Sequence, residues 1–303
     1  MYDLMIIGGG PAGMTAAVYT ARKKLSAMLL SKDVGGQVNW TLGIENYMGY
    51  QLIEGPELIK KFEEQVKQFP IDIKIGEGVS SLSRMGGGFE AKTDGGESYQ
   101  AKAVIIATGK CPRPLNVPGE KKLRGRGVTY CATCDGPLFA GMKVAVIGGG
   151  NSALEAVDDM VKIAEYVYLV SLTQLTGDQI LIDRVNGVSN LMMFLEHEVV
   201  AITGENLVDG IKIRDLKTRQ ERELQIGGVF IEIGLIPNSD LVKSVAALNR
   251  IGEIEVNCNN ETNVPGLFAA GDVTNVLEKQ IVVAAGEGAK ASLQAHRYLQ
   301  RLV

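Results

Sequence analysis

The chain has 303 residues, enough for two domains at the usual ~100–200 residues each. It is 46% apolar and 22% charged with a net charge of −4, an ordinary globular balance that exerts no broad pull on nucleic acid or anionic lipid. No apolar run reaches the ~18–20 residues of a membrane span and no targeting segment opens the chain, so a cytoplasmic protein is expected.

Residues 2–7 form an apolar strand that ends in glycines, residues 11–24 read as a helix, and residues 27–30 as the next strand. That is a βαβ unit of the length a dinucleotide fold needs. Its turn is Gly8-Gly9-Gly10-Pro11-Ala12-Gly13. Gly8 permits a tight turn, Gly10 lets backbone approach a pyrophosphate, and Gly13 lets helix and strand pack closely. Residues 56–68 form an amphipathic helix begun by Pro56, with Leu58, Ile59, Phe62 and Val66 on one face. Short strands follow from Ile71 to Ile106, with Asp94-Gly95-Gly96 as a hairpin turn. Val104-Ile105-Ile106-Ala107-Thr108-Gly109 closes this part as a buried strand and turn. The Pro-, Gly- and charge-rich stretch from Cys111 to Gly127 reads as a linker.

A second βαβ unit takes residues 143–147, 152–163 and 166–172, with the turn Gly148-Gly149-Gly150-Asn151-Ser152-Ala153. Ala153 in place of a third glycine is compatible with close packing. A nicotinamide site usually carries an acid for the ribose diol, or basic residues for a 2′-phosphate, at the end of the second strand. Here that strand runs out in Val170-Ser171-Leu172-Thr173-Gln174-Leu175, with neither, so a module kept only as scaffold stays open as the alternative. More strands lead to Phe230–Ile233. Residues 266–274 form a strand and turn, and a long helix covers about 281–301. Because residues 266–301 carry a site that belongs with the N-terminal half, the second module reads as inserted into the first.

Between the two glycine turns lies Cys131-Ala132-Thr133-Cys134-Asp135. A C-x-x-C pair can close a local disulfide and depresses one thiol pKa. In a reducing compartment such a pair is redox-active or metal-binding more often than a structural staple. Zinc would need a second pair; Cys111 and Cys258 stand alone and the two histidines, His197 and His296, are remote in sequence, so no metal is expected. Asp135 is placed to trade a proton with a thiolate, or to cap a turn.

Taken together, Gly8–Gly13, Gly35-Gly36-Gln37, Glu45-Asn46-Tyr47, Ala107-Thr108-Gly109, Cys131–Gly136, Gly148–Ala153, Ile233-Gly234 with Pro237-Asn238, and Ala270-Gly271-Asp272-Val273 resemble the low-molecular-weight thioredoxin reductase family along the whole chain. The resemblance implies an α/β fold of two Rossmann-like, three-layer ββα domains. Residues 1–112 plus 244–303 would hold FAD, and residues 113–243 would form an NAD(P)-type domain carrying the dithiol. For FAD it points to Gly8, Gly10, Pro11, Ala12, Gly13, Gly36, Gln37, Asn46, Thr108, Gly109, Gly271, Asp272 (on the ribitol) and Lys279-Gln280-Ile281 (over the flavin ring). Gly148, Gly150, Asn151 and Ser152 would bind NADPH or NADH. Cys134 would face the flavin, Cys131 would attack a partner disulfide, and Asp135 would handle the proton. A homodimer is implied, with a thioredoxin-like or glutaredoxin-like protein as partner. Members that have lost the nucleotide site use ferredoxin or another donor, which is the alternative implied by Ser171–Gly177. The C-terminal third, through Ile233–Asn238, Glu261–Val264 and Gly286–Ser292, is similar to the flavoprotein component of alkyl hydroperoxide reductase. That flavoprotein carries a further thioredoxin-like region, so a role in a peroxiredoxin system is expected to use a separate thiol carrier.

Overall fold

The structure is a computed structural model that describes residues 1–41 and 43–302. The chain divides into two compact units: Met1–Asn39, Tyr47–Cys111 and Ile236–Val303 make the first, and Trp40–Asn46 and Pro112–Leu235 the second. The return to the first unit thus comes at 235/236, earlier than 243/244, and the short segment Trp40–Asn46 groups with the inserted unit.

The first unit begins with β1 (Tyr2–Ile7), α1 (Pro11–Arg22) and β2 (Ala27–Ser31). It continues through α2 (Gly55–Val66), β3 (Asp72–Ile75), β4 (Val79–Met85), β5 (Gly88–Thr93) and β6 (Ser98–Ile106). The chain crosses at β7 (Lys110–Pro112). The inserted unit holds β8 (Val128–Thr129), α3 (Ala132–Asp135), β9 (Lys143–Ile147), α4 (Asn151–Met160), β10 (Tyr166–Ser171), α5 (Gln179–Val185) and β11 (Leu191–Leu195). It ends with β12 (His197–Thr203), β13 (Gly210–Asp215), β14 (Glu221–Gln225) and β15 (Gly228–Ile231). The chain crosses back at β16 (Leu235–Pro237) and finishes with β17 (Leu267–Ala269) and α6 (Ile281–Gln300).

In the first unit, described residues form a sheet of order β3-β2-β1-β6-β5-β4, with β17 also on β6. Its centre is parallel, as βαβ crossovers require, and the β4–β5–β6 meander is antiparallel. The strands at its centre read as continuous apolar runs because both faces are covered: Leu4, Met5, Ile6 and Ile105 are fully buried. The Asp94–Gly96 turn joins β5 to β6 as the sequence suggests. Helices α1 and α6 pack so closely that a Cβ on Gly288 would lie 2.0 Å from the Ala12 carbonyl oxygen. Thr20 and Ser292 share a hydrogen bond of 2.8 Å across that interface.

The inserted unit repeats the theme with a parallel sheet of order β11-β10-β9-β15-β8 and a separate antiparallel β12-β13-β14 ribbon. Its core is anchored by Phe230, fully buried and edge-on to Phe139 at 5.1 Å. Burying a phenylalanine is worth roughly 2–3 kcal/mol, and an edge-to-face pair adds about 1 kcal/mol.

Candidate redox and nucleotide sites

The turn before α1 is built from contact limits. Gly8 has φ +119°, and a Cβ there would meet the Ala107 carbonyl oxygen at 2.2 Å. A Cβ on Gly13 would sit 1.8 Å from the Gly8 oxygen, so strand and helix close to a distance only glycine allows. At Gly10 a Cβ would meet nothing within 4 Å, and no side chain caps the helix that starts at Pro11. Open space therefore lies over uncapped N–H groups and the positive end of a twelve-residue helix. The Ser31 hydroxyl at the end of β2 accepts from Gly9 N at 2.7 Å and steadies the loop.

Three other segments converge on this turn. Ala107 abuts Gly8, and Thr108 is locked to Asn238: its hydroxyl donates to the Asn238 carbonyl at 2.7 Å and its own carbonyl accepts from Asn238 Nδ2 at 2.8 Å. The carbonyl of Gly109 accepts from Asn238 N. Gly271, at φ +77°, is so near Ala12 that a Cβ there would be 3.0 Å from the alanine Cβ. Glu287 of α6 is buried and holds this loop by accepting from Gly271 N at 2.8 Å and Asn260 Nδ2 at 3.2 Å.

Beside the loop lies a buried charge cluster. Glu253 Oε1 accepts from Lys110 Nζ at 2.5 Å and Lys279 Nζ at 3.1 Å, and its second oxygen accepts from Asn249 Nδ2 at 2.7 Å. Burial pushes the Glu253 carboxyl up, but these three donors outweigh it and hold the group below its usual range. Burial pushes the Asp272 carboxyl up, and the charges of Lys279 and Lys110 offset this in part. Gln37 Nε2 donates to the Lys110 carbonyl at 2.8 Å. Gln280 and Ile281 form the N-cap and first residue of α6. Asn46, expected with this set, belongs to the inserted unit.

An open phosphate-sized cradle at a helix start, cations beside a buried carboxylate and a glycine-limited floor fit the pyrophosphate and ribitol of FAD. The residues available to hold it are Gly8–Gly13, Gly271-Asp272 and Lys279.

The inserted unit holds the dithiol turn. Cys131 and Cys134 form a disulfide with Cα atoms 5.3 Å apart. Cys131 caps α3, and its Sγ accepts from Cys134 N at 3.2 Å. The Thr129 hydroxyl donates to Asp135 Oδ2 and accepts from Cys131 N at 3.3 Å. Burial raises the Asp135 carboxyl pKa against the Thr129 hydrogen bond, and its buried Oδ1 has no partner. On the other side of the turn, Glu232 at the end of β15 accepts from Ala132 N at 3.2 Å. Burial drives its pKa to about 7, the Ala132 N–H pulls it down, and Glu155 on α4 pushes it up. The Arg124 guanidinium stacks between Trp40 and Tyr130, 4.4 and 5.4 Å from the ring centres, and stiffens the approach to Cys131.

The second glycine turn has the same limits. A Cβ on Gly148 would meet the Glu232 carbonyl oxygen at 2.3 Å, and α4 begins at Asn151 without a side-chain cap. Ser171 is buried, with its hydroxyl where a Cβ on Gly149 would lie 2.4 Å away. The loop beyond it folds over the helix start: Thr176 N donates to the Gly149 carbonyl at 2.7 Å. Asp178 N donates to Asn151 Oδ1 at 2.7 Å, and Asn151 Nδ2 donates to Asp178 Oδ2 at 2.9 Å. The residues between Ser171 and Asp178 include no Lys or Arg. Ser152 lies on the exposed start of the helix. Backbone N–H groups at Gly150–Ser152 can take a phosphate, as at α1.

Glu232, Glu253, Glu287 and Thr129 were not singled out from sequence. A signal existed for Glu232 alone: a carboxylate inside the apolar run Phe230–Ile233 demands an explanation.

The family model for pyridine nucleotide-disulphide oxidoreductases matches residues 2–288. An alkyl hydroperoxide reductase flavoprotein of Pseudomonas putida is 44% identical over 304 aligned positions, covering 99% of this chain and 58% of the relative. The protein of the same name from Staphylococcus aureus strain MSSA476 is 42% identical over 301 positions, with 99% and 59% covered. The chain thus spans less than two thirds of the length of these curated relatives. Among solved structures, thioredoxin reductase from Streptococcus pyogenes MGAS5005 superposes with a TM-score of 0.95 at 39% identity, covering 99% of each chain. Thioredoxin reductase from Giardia duodenalis gives 0.91 at 31% identity, also over 99% of each.

Proposed function

Because the chain belongs to the pyridine nucleotide-disulphide oxidoreductase family, we propose that it is a flavin-dependent reductase. It would carry two electrons from NADH to the Cys131–Cys134 disulfide and on to a small thioredoxin-like protein. The observation that carries this reading is the disulfide itself, set between two buried carboxyls on a turn inside a nucleotide-binding unit. FAD, when bound at Gly8–Gly13 and Asp272, supplies the two-electron relay between nicotinamide and disulfide.

The chain's own residues divide the thiol chemistry. The Cys134 N–H that points at Cys131 Sγ stabilises negative charge on that sulfur, which favours Cys131 as the attacking thiolate. Cys131 attacks one sulfur of the partner disulfide, forms a mixed disulfide and expels the partner's other thiolate. Cys134 then attacks the Cys131 sulfur, restores the internal disulfide and expels the second partner thiolate. Asp135, with a raised pKa and a free buried oxygen, takes the Cys134 proton and delivers it to the leaving thiolate.

The donor follows from charge. A 2′-phosphate next to the β10 end would meet no Lys or Arg, and would approach the Asp178 carboxylate instead, which favours NADH over NADPH. The thioredoxin reductases match this chain over their full length, which supports a thioredoxin-like acceptor. The likeness to the alkyl hydroperoxide reductase proteins supports a second acceptor, the thiol carrier of a peroxide-reducing system.

Anaerobic rapid mixing of the yellow protein with NADH, NADPH and reduced ferredoxin tests the reading. Fast bleaching by NADH and loss of thioredoxin reduction in Cys134→Ser are expected. Bleaching only by ferredoxin would refute the donor, and an active Cys134→Ser would refute the dithiol route.

A further inference from the structure

Asp135 is one of two buried carboxyls at the dithiol turn, and the thiol chemistry above leaves the other unused. Glu232 reaches from the end of β15 to the backbone N–H of Ala132, the residue next to Cys131. A merely structural acceptor there needs no charge; a glutamine or a water would serve. Among the described residues no Lys, Arg or His pairs with Glu232. The titratable groups about it are Glu155 on α4 and, on the turn, Cys131 and Asp135, and none of them is cationic. An unpaired carboxylate is thus held against the segment that presents a nucleophilic sulfur, at a cost a neutral side chain would avoid.

We infer that Glu232 is a positioning residue that sets the ionisation of Cys131: it fixes the turn through Ala132 N–H and, by keeping or losing its own proton, decides how easily the opened Cys131 becomes a thiolate. The inference rests on the dithiol reading above. With Glu232 protonated, the Cys131 thiolate forms beside a neutral group and the Cys134 N–H. With Glu232 ionised, two like charges share the turn and the thiolate is disfavoured. The two groups titrate as a pair, so Cys131 reactivity rises with pH in two steps. Burial and Glu155 both favour the protonated carboxyl near neutral pH, which keeps Cys131 available where the reductase works.

The test is the pH–rate profile of Cys131 alkylation by iodoacetamide in the chemically reduced, flavin-loaded protein, read by peptide mass. Exposed Cys258 in the same sample is the internal control. Wild type should show two inflections. Glu232→Gln keeps an acceptor for Ala132 N–H but not the titration; it should show one inflection, with the apparent thiol pKa lower by about one unit. Cys258 should be unchanged. Glu155→Gln, an exposed change on α4, should move the lower wild-type inflection downward. Superimposable wild-type and Glu232→Gln profiles overturn the inference. If Glu232→Gln does not retain flavin, an unmoved lower inflection in Glu155→Gln overturns it instead. Because the dithiol is opened chemically, the readout does not depend on donor or partner. A failure of the proposed electron route would appear in rapid mixing and leave this profile intact.

Discussion

Replacing Glu253 by leucine should destabilise the protein far more than replacing Lys110 by leucine. In the folded state the side chains of Lys110 and Glu253 are 7% and 9% exposed, and Lys279 shares the same carboxylate at 17%. Glu253→Leu strands two ammonium groups that already repel one another, with Asp272 as their remaining counter-charge. Breaking a buried ion pair from one side costs about 3–5 kcal/mol, because the orphaned charge stays desolvated. Lys110→Leu leaves Glu253 with Lys279 and Asn249, so the carboxylate keeps a cation and a hydrogen bond. Its cost should be about 1–2 kcal/mol. At roughly 2–4 °C per kcal/mol for a body of this size, the melting temperature should fall by about 6–20 °C in the first variant and about 2–8 °C in the second. Differential scanning fluorimetry, read by flavin release as well as protein fluorescence, measures both. The Lys279 pKa is lowered chiefly by burial, so a charged Lys279 penalises the fold below its folded pKa. The Glu253→Leu deficit should therefore shrink as pH rises toward the ordinary lysine range. Equal losses in the two variants, or a larger loss in Lys110→Leu, would refute the account of the cluster.

Other consequences are as direct. Gly13→Ala places a Cβ 1.8 Å from the Gly8 oxygen and should abolish flavin retention, read as the colour of the purified protein. Glu287→Ala removes the acceptor of Gly271 N and Asn260 Nδ2 and should cost about 3–5 kcal/mol by urea denaturation while weakening flavin binding. The folded pKa of Glu232, about 7, lies above the unfolded value, so its cost appears as pH rises through this interval. Glu232→Gln should match wild type near pH 4 and exceed it by about 1–3 kcal/mol at pH 8 in denaturant titrations. Leu172→Arg with Thr173→Arg supplies the missing cations and should shift the NADPH-to-NADH ratio of kcat/KM toward NADPH by about tenfold or more.

The parts legible in the sequence are those whose cause is local. The glycine turns at 8–13 and 148–153 announce themselves because each glycine answers a contact within a few residues or across one strand. The Cys131–Cys134 pair is legible for the same reason, three residues apart. Helix ends were less so. The first helix stops at Arg22 because Lys24 takes φ +57°, and no glycine marks the spot. The helix after the second turn ends at Met160, where residues 161–163 tighten into turns that keep an apolar pattern. The Lys110–Glu253–Lys279 cluster was illegible because Lys110 and Glu253 are 143 residues apart and each member looks like a surface charge on its own. The grouping of Asn46 with the inserted unit is likewise a tertiary fact without a local signature.

The first unit is assembled from pieces at both ends of the chain, and that imposes an order of events during synthesis. Strand β6 waits for β17, and α1 waits for α6, whose Ser292 meets Thr20 across 272 residues of sequence. The segment from Pro112 to Leu235 emerges from the ribosome in one stretch and can fold before those partners exist. Until Leu267–Ala269 arrives, the edge at Val104–Ile106 is an open apolar strand, the kind of surface that nascent-chain chaperones bind and that aggregates when they do not.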